Sequence, residues 1–354
     1  VARRSLLSLL GIALAIAVAG VVLAALDPWA DDGSGPPKAA AHPTHLAPTA
    51  SPKVTQGTIY GLHGSKAAFA ANLHDEVPGP AGSGDLTVQQ GDIAPLPVSA
   101  FRRPIARYRT YATGQARQMA GPARRMVADL RAGHRAAAED DWRAAYTRYL
   151  RLGAAYGALG DLDQAIDGEA GGLPRGVHDP GFSGLHRIER ELWTGTPTAR
   201  IVPWARRLQR DVTKLPQAIA ALEITPLDYA TRAHEILEDA QRDQLSGTAA
   251  PWSGDGVAAT AAGLDATDRV MATLDTTLAG RESTQQAVAT ERVALRRSLD
   301  RVKSDHHGRY PRLDDLSTRE RAQLDGALGA TLEALALVPG TLETSRPPTI
   351  KAIP

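Results

Sequence analysis

His186 and Glu189, three residues apart in Gly184-Leu185-His186-Arg187-Ile188-Glu189, are the side chains here best placed to do chemistry together. On a helix, residues three apart lie one turn apart on one face. An imidazole and a carboxylate at that spacing can chelate one divalent ion. Leu185, Ile188 and Leu192 form the apolar stripe of the same helix, so the pair sits on the adjacent face. Taken alone, the spacing fits two readings: an ordinary surface ion pair, which is the commoner occurrence, or part of a metal site.

Other combinations are less complete. His234-Glu235 opens like the zinc-peptidase HExxH, but Glu238 stands in the fifth position, so the second zinc-binding histidine is lacking. Di-iron helical bundles use two Glu-x-x-His elements plus two further glutamates. Here the order is reversed and occurs once, which favours a single ion. His306-His307 falls in the polar stretch Ser304-Asp305-His306-His307-Gly308-Arg309, read as solvated or as an accessory metal site. No glycine-rich phosphate loop opens a helix after a strand, and no Ser-x-x-Lys or Gly-x-Ser-x-Gly nucleophile motif is present.

Composition removes several classes of function. Without a single cysteine the chain has no disulfide, thiolate metal site, iron–sulfur cluster, cysteine nucleophile or lipidated cysteine. Lys plus Arg is 40 and Asp plus Glu is 39, a net charge of +1. That balance provides no basic footprint for the phosphates of nucleic acid. Abundant alanine and leucine, with only 5% aromatics, favour helices packed on small aliphatic side chains.

The elements that must position these residues come after an N-terminal preamble. Arg3-Arg4 precede an uncharged apolar run over 5–26. About 22 residues at about 1.5 Å each span roughly 33 Å as a helix, enough to cross a bilayer. That length fits an uncleaved anchor better than a cleaved signal core of about 7–15 residues. The paired arginines place the N-terminus in the cytoplasm and the chain beyond residue 26 outside. The expectation is therefore an extracytoplasmic protein, anchored by segment 1–26 or released after its cleavage. Residues 27–54, rich in Pro, Ala, Gly, Ser and Thr, read as a flexible stalk. Residues 55–99 read as a short irregular or weakly β segment, too short for a β-sandwich.

From about residue 100 to 345 helical periodicity dominates. The spacing predicts helices near 101–119, 121–133, 138–159, 182–194, 198–213, 227–245, 254–280, 284–304 and 318–337. Thr225-Pro226 is a cap followed by proline in the first turn. Ser317 and Glu320 form a capping box, and Pro339-Gly340 is the expected stop of the last helix. The fold class is all-α, with short joins that argue for two adjoining helical bundles.

Three blocks in order carry a resemblance: Gly160-Asp161-Leu162-Asp163 with Ile166-Asp167, the Gly-x-His-x-x-Glu motif with Leu192-Trp193, and Arg232-Ala233-His234-Glu235-Ile236-Leu237-Glu238-Asp239. Over about 101–342 the chain resembles the imelysin-like domain of EfeO-type proteins of bacterial iron uptake. The resemblance implies a two-bundle helical fold with a metal site near the interface of the bundles. It selects the metal reading of His186 and Glu189 and adds Asp167 and Glu235 as ligand candidates. One histidine with three carboxylates is a hard, oxygen-rich set suited to iron or another divalent ion.

The chain also departs from the family pattern. Many members carry two glutamates three apart on the preceding helix, where this chain has Leu150 and Gly153. Many also carry an N-terminal cupredoxin domain, for which 55–99 is too short and lacks Cys and Met. The function implied is that of an extracytoplasmic iron-binding component rather than an enzyme. It would pass iron to a membrane permease, with the other components of the same uptake system as further partners. Two alternatives stand beside it: a helical scaffold module that has lost metal binding, and a metallopeptidase.

Overall fold

In the computed structural model, residues 95–155 and 157–344 are described, all within the unit Thr58–Pro354. The apolar run 5–26, the stalk 27–54 and nearly all of 55–99 lie outside the described residues. Among the described residues no helix is long and apolar enough to cross a membrane.

Ten α-helices make up the described fold. They are α1 (Arg102–Ala132), α2 (Arg135–Leu150), α3 (Asp161–Asp167), α4 (Gly184–Trp193), α5 (Thr198–Val212), α6 (Leu215–Ala221), α7 (Pro226–Asp239), α8 (Gly256–Leu274), α9 (Glu282–Asp305) and α10 (Thr318–Thr341). A π-helical turn, Ala240–Gln244, extends α7. Helix α1 packs on α2, α5 and α6, while α7 to α10 pack on one another. Helix α8 touches α1 and α2 as well, so the two sets share one continuous apolar core.

Side-chain caps fix the starts of two helices. The Thr225 hydroxyl accepts from the Asp228 amide at 3.1 Å, with Pro226 in the first turn of α7. At the start of α10 both halves of the Ser317–Glu320 capping box form. Prolines are where the expectation fails. The break expected around residue 120 is absent, because α1 continues through Pro122. Ala112, Ala116, Met119, Ala123, Met126 and Leu130 make one buried stripe across it. Burial of that stripe outweighs the roughly 3 kcal/mol an interior proline costs. Likewise α10 runs through Pro339 to Thr341, since Leu335 and Val338 are buried and hold the last turn in place.

Two short helices, α3 and α6, were not legible in the periodicity. Helix α2 stops at Leu150, short of the expected 159, and Gly153 comes next with φ +60°. A Cβ there would lie 2.9 Å from the Ala266 Cβ and 3.2 Å from the Ile236 Cδ1. Apolar side chains of α7 and α8 thus fill the place of one glutamate that the resemblance leads one to expect, and Leu150 is buried at the other. The described part of 55–99 holds one strand-like bridge, Leu96 to Thr344, in which the Leu96 amide donates to Glu343 at 2.8 Å, and then enters the 3-10 turn Val98–Phe101.

Candidate metal centre

The end of α3 and the start of α4 are pressed together at Gly184. Its φ of +79° is in the left-handed region, and a Cβ there would fall 2.2 Å from the Ile166 carbonyl oxygen. Only glycine permits that approach, and it sets Asp167, the last residue of α3, against His186. On the other side, the Trp142 indole of α2 donates to the Leu185 carbonyl at 2.8 Å. The Tyr146 ring lies edge-on to the imidazole at 5.6 Å. The Tyr146 hydroxyl donates to Gln244 Oε1 at 3.0 Å, which ties the π-helical turn to the same site. Such turns occur often at functional sites.

His186 and Glu189 are 2% and 0% exposed, so the pair is not a surface pair. His186 Nε2 is 3.2 Å from Asp167 Oδ1, and Nδ1 is 3.5 Å from Glu189 Oε2. Both are ion-pair approaches without hydrogen-bond alignment. Asp167 Oδ1, His186 Nδ1 and Glu189 Oε2 accordingly have no hydrogen-bond partner although buried. The other carboxylate oxygen of Glu189 is well held, accepting from the Trp252 amide at 3.1 Å and the Ser253 amide at 2.8 Å.

Burial opposes protonation of His186, but the Asp167 charge and polar contact with Asp167 and Glu189 outweigh it and push its pKa up to about 10. A folded value above the ordinary 6.5 means that the charged ring stabilises the fold fully below about pH 6.5. That contribution is lost as pH rises toward about 10. Unfolding free energy of the wild type is expected to fall across that window, and His186→Asn to remove the dependence. An ion replacing the proton reverses the trend for binding, since a ring nitrogen must deprotonate to coordinate. Metal affinity measured from pH 6 to 8 is therefore expected to rise; a flat profile would exclude His186 as a ligand.

Two carboxylates flank one imidazolium, which leaves a formal negative charge in excess at a buried place. A cation is the complement. Two ligands about 2.1 Å from one ion and at right angles lie about 3.0 Å apart, close to the 3.2 Å between Nε2 and Asp167. The carboxylates stand on opposite nitrogens of the ring, however. Among the described residues no group of three or more His, Asp or Glu is arranged to hold one ion as it stands.

Of the four predicted site residues, Asp167, His186 and Glu189 are brought together. Glu235 is half-buried on α7 and ion-paired with Arg232 at 3.1 Å. His234 pairs with Glu238 at 3.5 Å, so the HExxH-like stretch forms its own surface contacts. His306, expected to be solvated or an accessory ligand, instead meets Glu320 of the capping box at 3.0 Å.

Sequence reasoning missed Tyr146, Glu169, Asp243 and the amides of Trp252 and Ser253. Glu169 has its carboxyl pKa raised first by partial burial, with His186 opposing and the charges of Asp243 and Asp167 adding to the rise. Burial foremost, then Asp167, raises that of Tyr146. Only Glu169, two residues beyond Asp167, carried a signal in the sequence. Backbone donors carry none.

An all-helical fold with a buried His–carboxylate cluster between short and long helices defines the class. The family model of imelysin (Peptidase_M75) matches residues 104–305, and the chain belongs to that family. It is similar to the iron uptake system component EfeO of Yersinia pseudotuberculosis, 25% identical over 263 residues covering 73% of this chain and 70% of that protein. The EfeO of Yersinia pestis is 24% identical over 302 residues, covering 84% and 78%. That of Escherichia coli strain K12 is 22% identical over 240 residues, covering 67% and 63%.

Proposed function

We propose that this chain is a metal-binding component of an iron-uptake system, taking one iron or other divalent ion at His186, Glu189 and Asp167 once the side chains rearrange, since the two carboxylates as they stand face opposite nitrogens of the ring. The observation that carries the reading is that two carboxylates meet one buried imidazole only through ion-pair contacts at 3.2 and 3.5 Å, leaving Asp167 Oδ1, His186 Nδ1 and Glu189 Oε2 without hydrogen bonds. Glu235 joins as the fourth ligand when its Arg232 pair opens. The names of the EfeO relatives support iron as the ion. In this reading the protein acts outside the membrane, held there by the segment 1–26 or released from it. It passes its ion to a membrane permease by ligand exchange, together with the other components of that system. Hard oxygen donors suit that role, because they bind without the permanence of thiolates. The chain is not an enzyme in this reading, since Glu238 replaces the second histidine that a zinc peptidase of the HExxH type needs.

Gly153 favours a weaker variant of the same function. No glutamate fits there without displacing Ala266 and Ile236, and Leu150 is buried at the other place, so two oxygen ligands are lacking and affinity is moderate.

The test is a titration of purified protein with Fe2+ under anaerobic conditions and with Mn2+. A stoichiometry near one is expected, with a melting temperature roughly 5–10 °C higher at about a hundredfold excess over Kd. Asp167→Asn is expected to weaken binding and, because the Asp167 charge is the largest influence holding the proton on His186, to lower stability near neutral pH as well. Absence of any shift with either ion would leave the scaffold reading in its place.

A further inference from the structure

The Trp252–Ser253 turn that holds Glu189 is itself held from behind. Arg312, in the loop between α9 and α10, donates through Nη1 to the Trp252 carbonyl at 3.2 Å and to the Ser253 carbonyl. The Leu313 amide adds a bond to the Gly254 carbonyl at 3.0 Å. The Trp252 carbonyl and the Ser253 amide are two ends of one peptide group. That group therefore has a guanidinium at its oxygen end and the Glu189 carboxylate, at 2.8 Å, at its hydrogen end. A dipole so placed is polarised by both charges, and each bond strengthens the other.

We propose that Arg312 is a positioning residue of the metal site, acting through this peptide on Glu189. The inference rests on the reading of Glu189 as a ligand. Pinning Oε1 to two amides leaves Oε2 as the oxygen presented to His186, and it is Oε2 that has no hydrogen-bond partner. Without Arg312 the turn is held from behind only by the Leu313–Gly254 bond, its amides donate less strongly, and Glu189 can withdraw Oε2 from the ion. The clamp belongs to a loop about 120 residues from the HxxE motif, so the second helix set controls the site built by the first. Outer partners of metal ligands typically change affinity by about 10- to 100-fold.

The nearby Arg321 supplies the control. Its guanidinium donates to the Leu245 carbonyl at 3.0 Å and to the Leu313 carbonyl at 3.2 Å. It fastens the same loop without touching the turn that holds Glu189. The full chain and its Arg312→Ala, Arg312→Lys and Arg321→Ala variants are titrated with Mn2+ and Fe2+, and their melting temperatures are measured alongside. Arg312→Ala is expected to raise Kd about 10- to 100-fold, with Arg312→Lys between it and the wild type. Arg321→Ala is expected to lower the melting temperature while leaving Kd within about twofold. Should Arg312→Ala not fold, a raised Kd in Arg312→Lys supports the proposal in its place. Unchanged Kd in the folded Arg312 variants overturns the proposal, as does an equal rise in Arg321→Ala, which would make the role merely structural. A wild type that binds neither ion overturns the metal reading itself, a different outcome from either.

Discussion

Glu189→Ala is expected to lower folding stability by about 3–5 kcal/mol, the usual loss when one partner of a buried ion pair is removed. Glu189 is fully buried, and its carboxylate serves three groups at once. Its removal strands the Trp252 and Ser253 amides, bonded at 3.1 and 2.8 Å, and each stranded amide costs about 1–3 kcal/mol. It also takes one of two counter-charges from the imidazolium of His186. These losses overlap, because a turn released from Glu189 relaxes toward solvent, so they do not sum. Denaturant unfolding with an unchanged m value would read the loss as one of stability alone. Glu189→Gln keeps an oxygen for the two amides and gives up only the charge, so its loss is expected to be smaller. Both variants should bind metal poorly. An alanine variant within about 1 kcal/mol of the wild type would mean that the carboxylate contributes nothing the fold needs.

Gly184→Ala is the second large effect. At φ +79° an alanine is strained by about 1–2 kcal/mol wherever it stands. Here the added Cβ also meets the Ile166 carbonyl, oxygen at 2.2 Å and carbon at 2.5 Å, and the Ala165 oxygen at 2.7 Å. These are backbone atoms of α3 and cannot swing aside as a side chain does. Either α3 separates from α4 or the motif helix shifts, and in both cases Asp167 leaves His186. The expected cost is about 3 kcal/mol or more, accompanied by loss of metal affinity. Gly195 is the fair comparison, with φ +81° and nothing within 4 Å of an added Cβ. Gly195→Ala should show the conformational strain alone and leave binding untouched. Equal losses at the two glycines would show that the close approach carries no weight.

That glycine also shows how far the sequence reaches. Gly184 was visible as part of the Gly-x-His-x-x-Glu motif, and the motif lies on a helix as its spacing requires. Nothing in the spacing said that the glycine exists to admit the end of α3. The same division runs through the rest of the site. Asp167 and Glu235 entered together by resemblance, yet the first faces His186 and the second pairs with Arg232 one turn away. A pair such as Arg232 and Glu235 competes locally for the charge that a distant site would use. Which contact wins depends on how α7 is rotated against its neighbours.

By itself, then, the amino-acid sequence determined what depends on neighbours three or four residues away: the helical class, the caps at Thr225 and Ser317, and the placement of His186 and Glu189 on one helix. The resemblance of three ordered blocks added the family. Tertiary structure alone decided that Glu189 is fully buried, that backbone amides hold one of its oxygens, and that Arg312 stands behind them. It also decided that α1 passes through Pro122 and that Gly153 is closed to a side chain. The physical reason is range. Backbone hydrogen bonding within a helix acts between residues a turn apart and leaves its mark in spacing. Burial, close approach and long-range hydrogen bonds arise between separate elements, as from Gly184 to Ile166 and from Glu189 to Ser253, and exist only once the helices have packed.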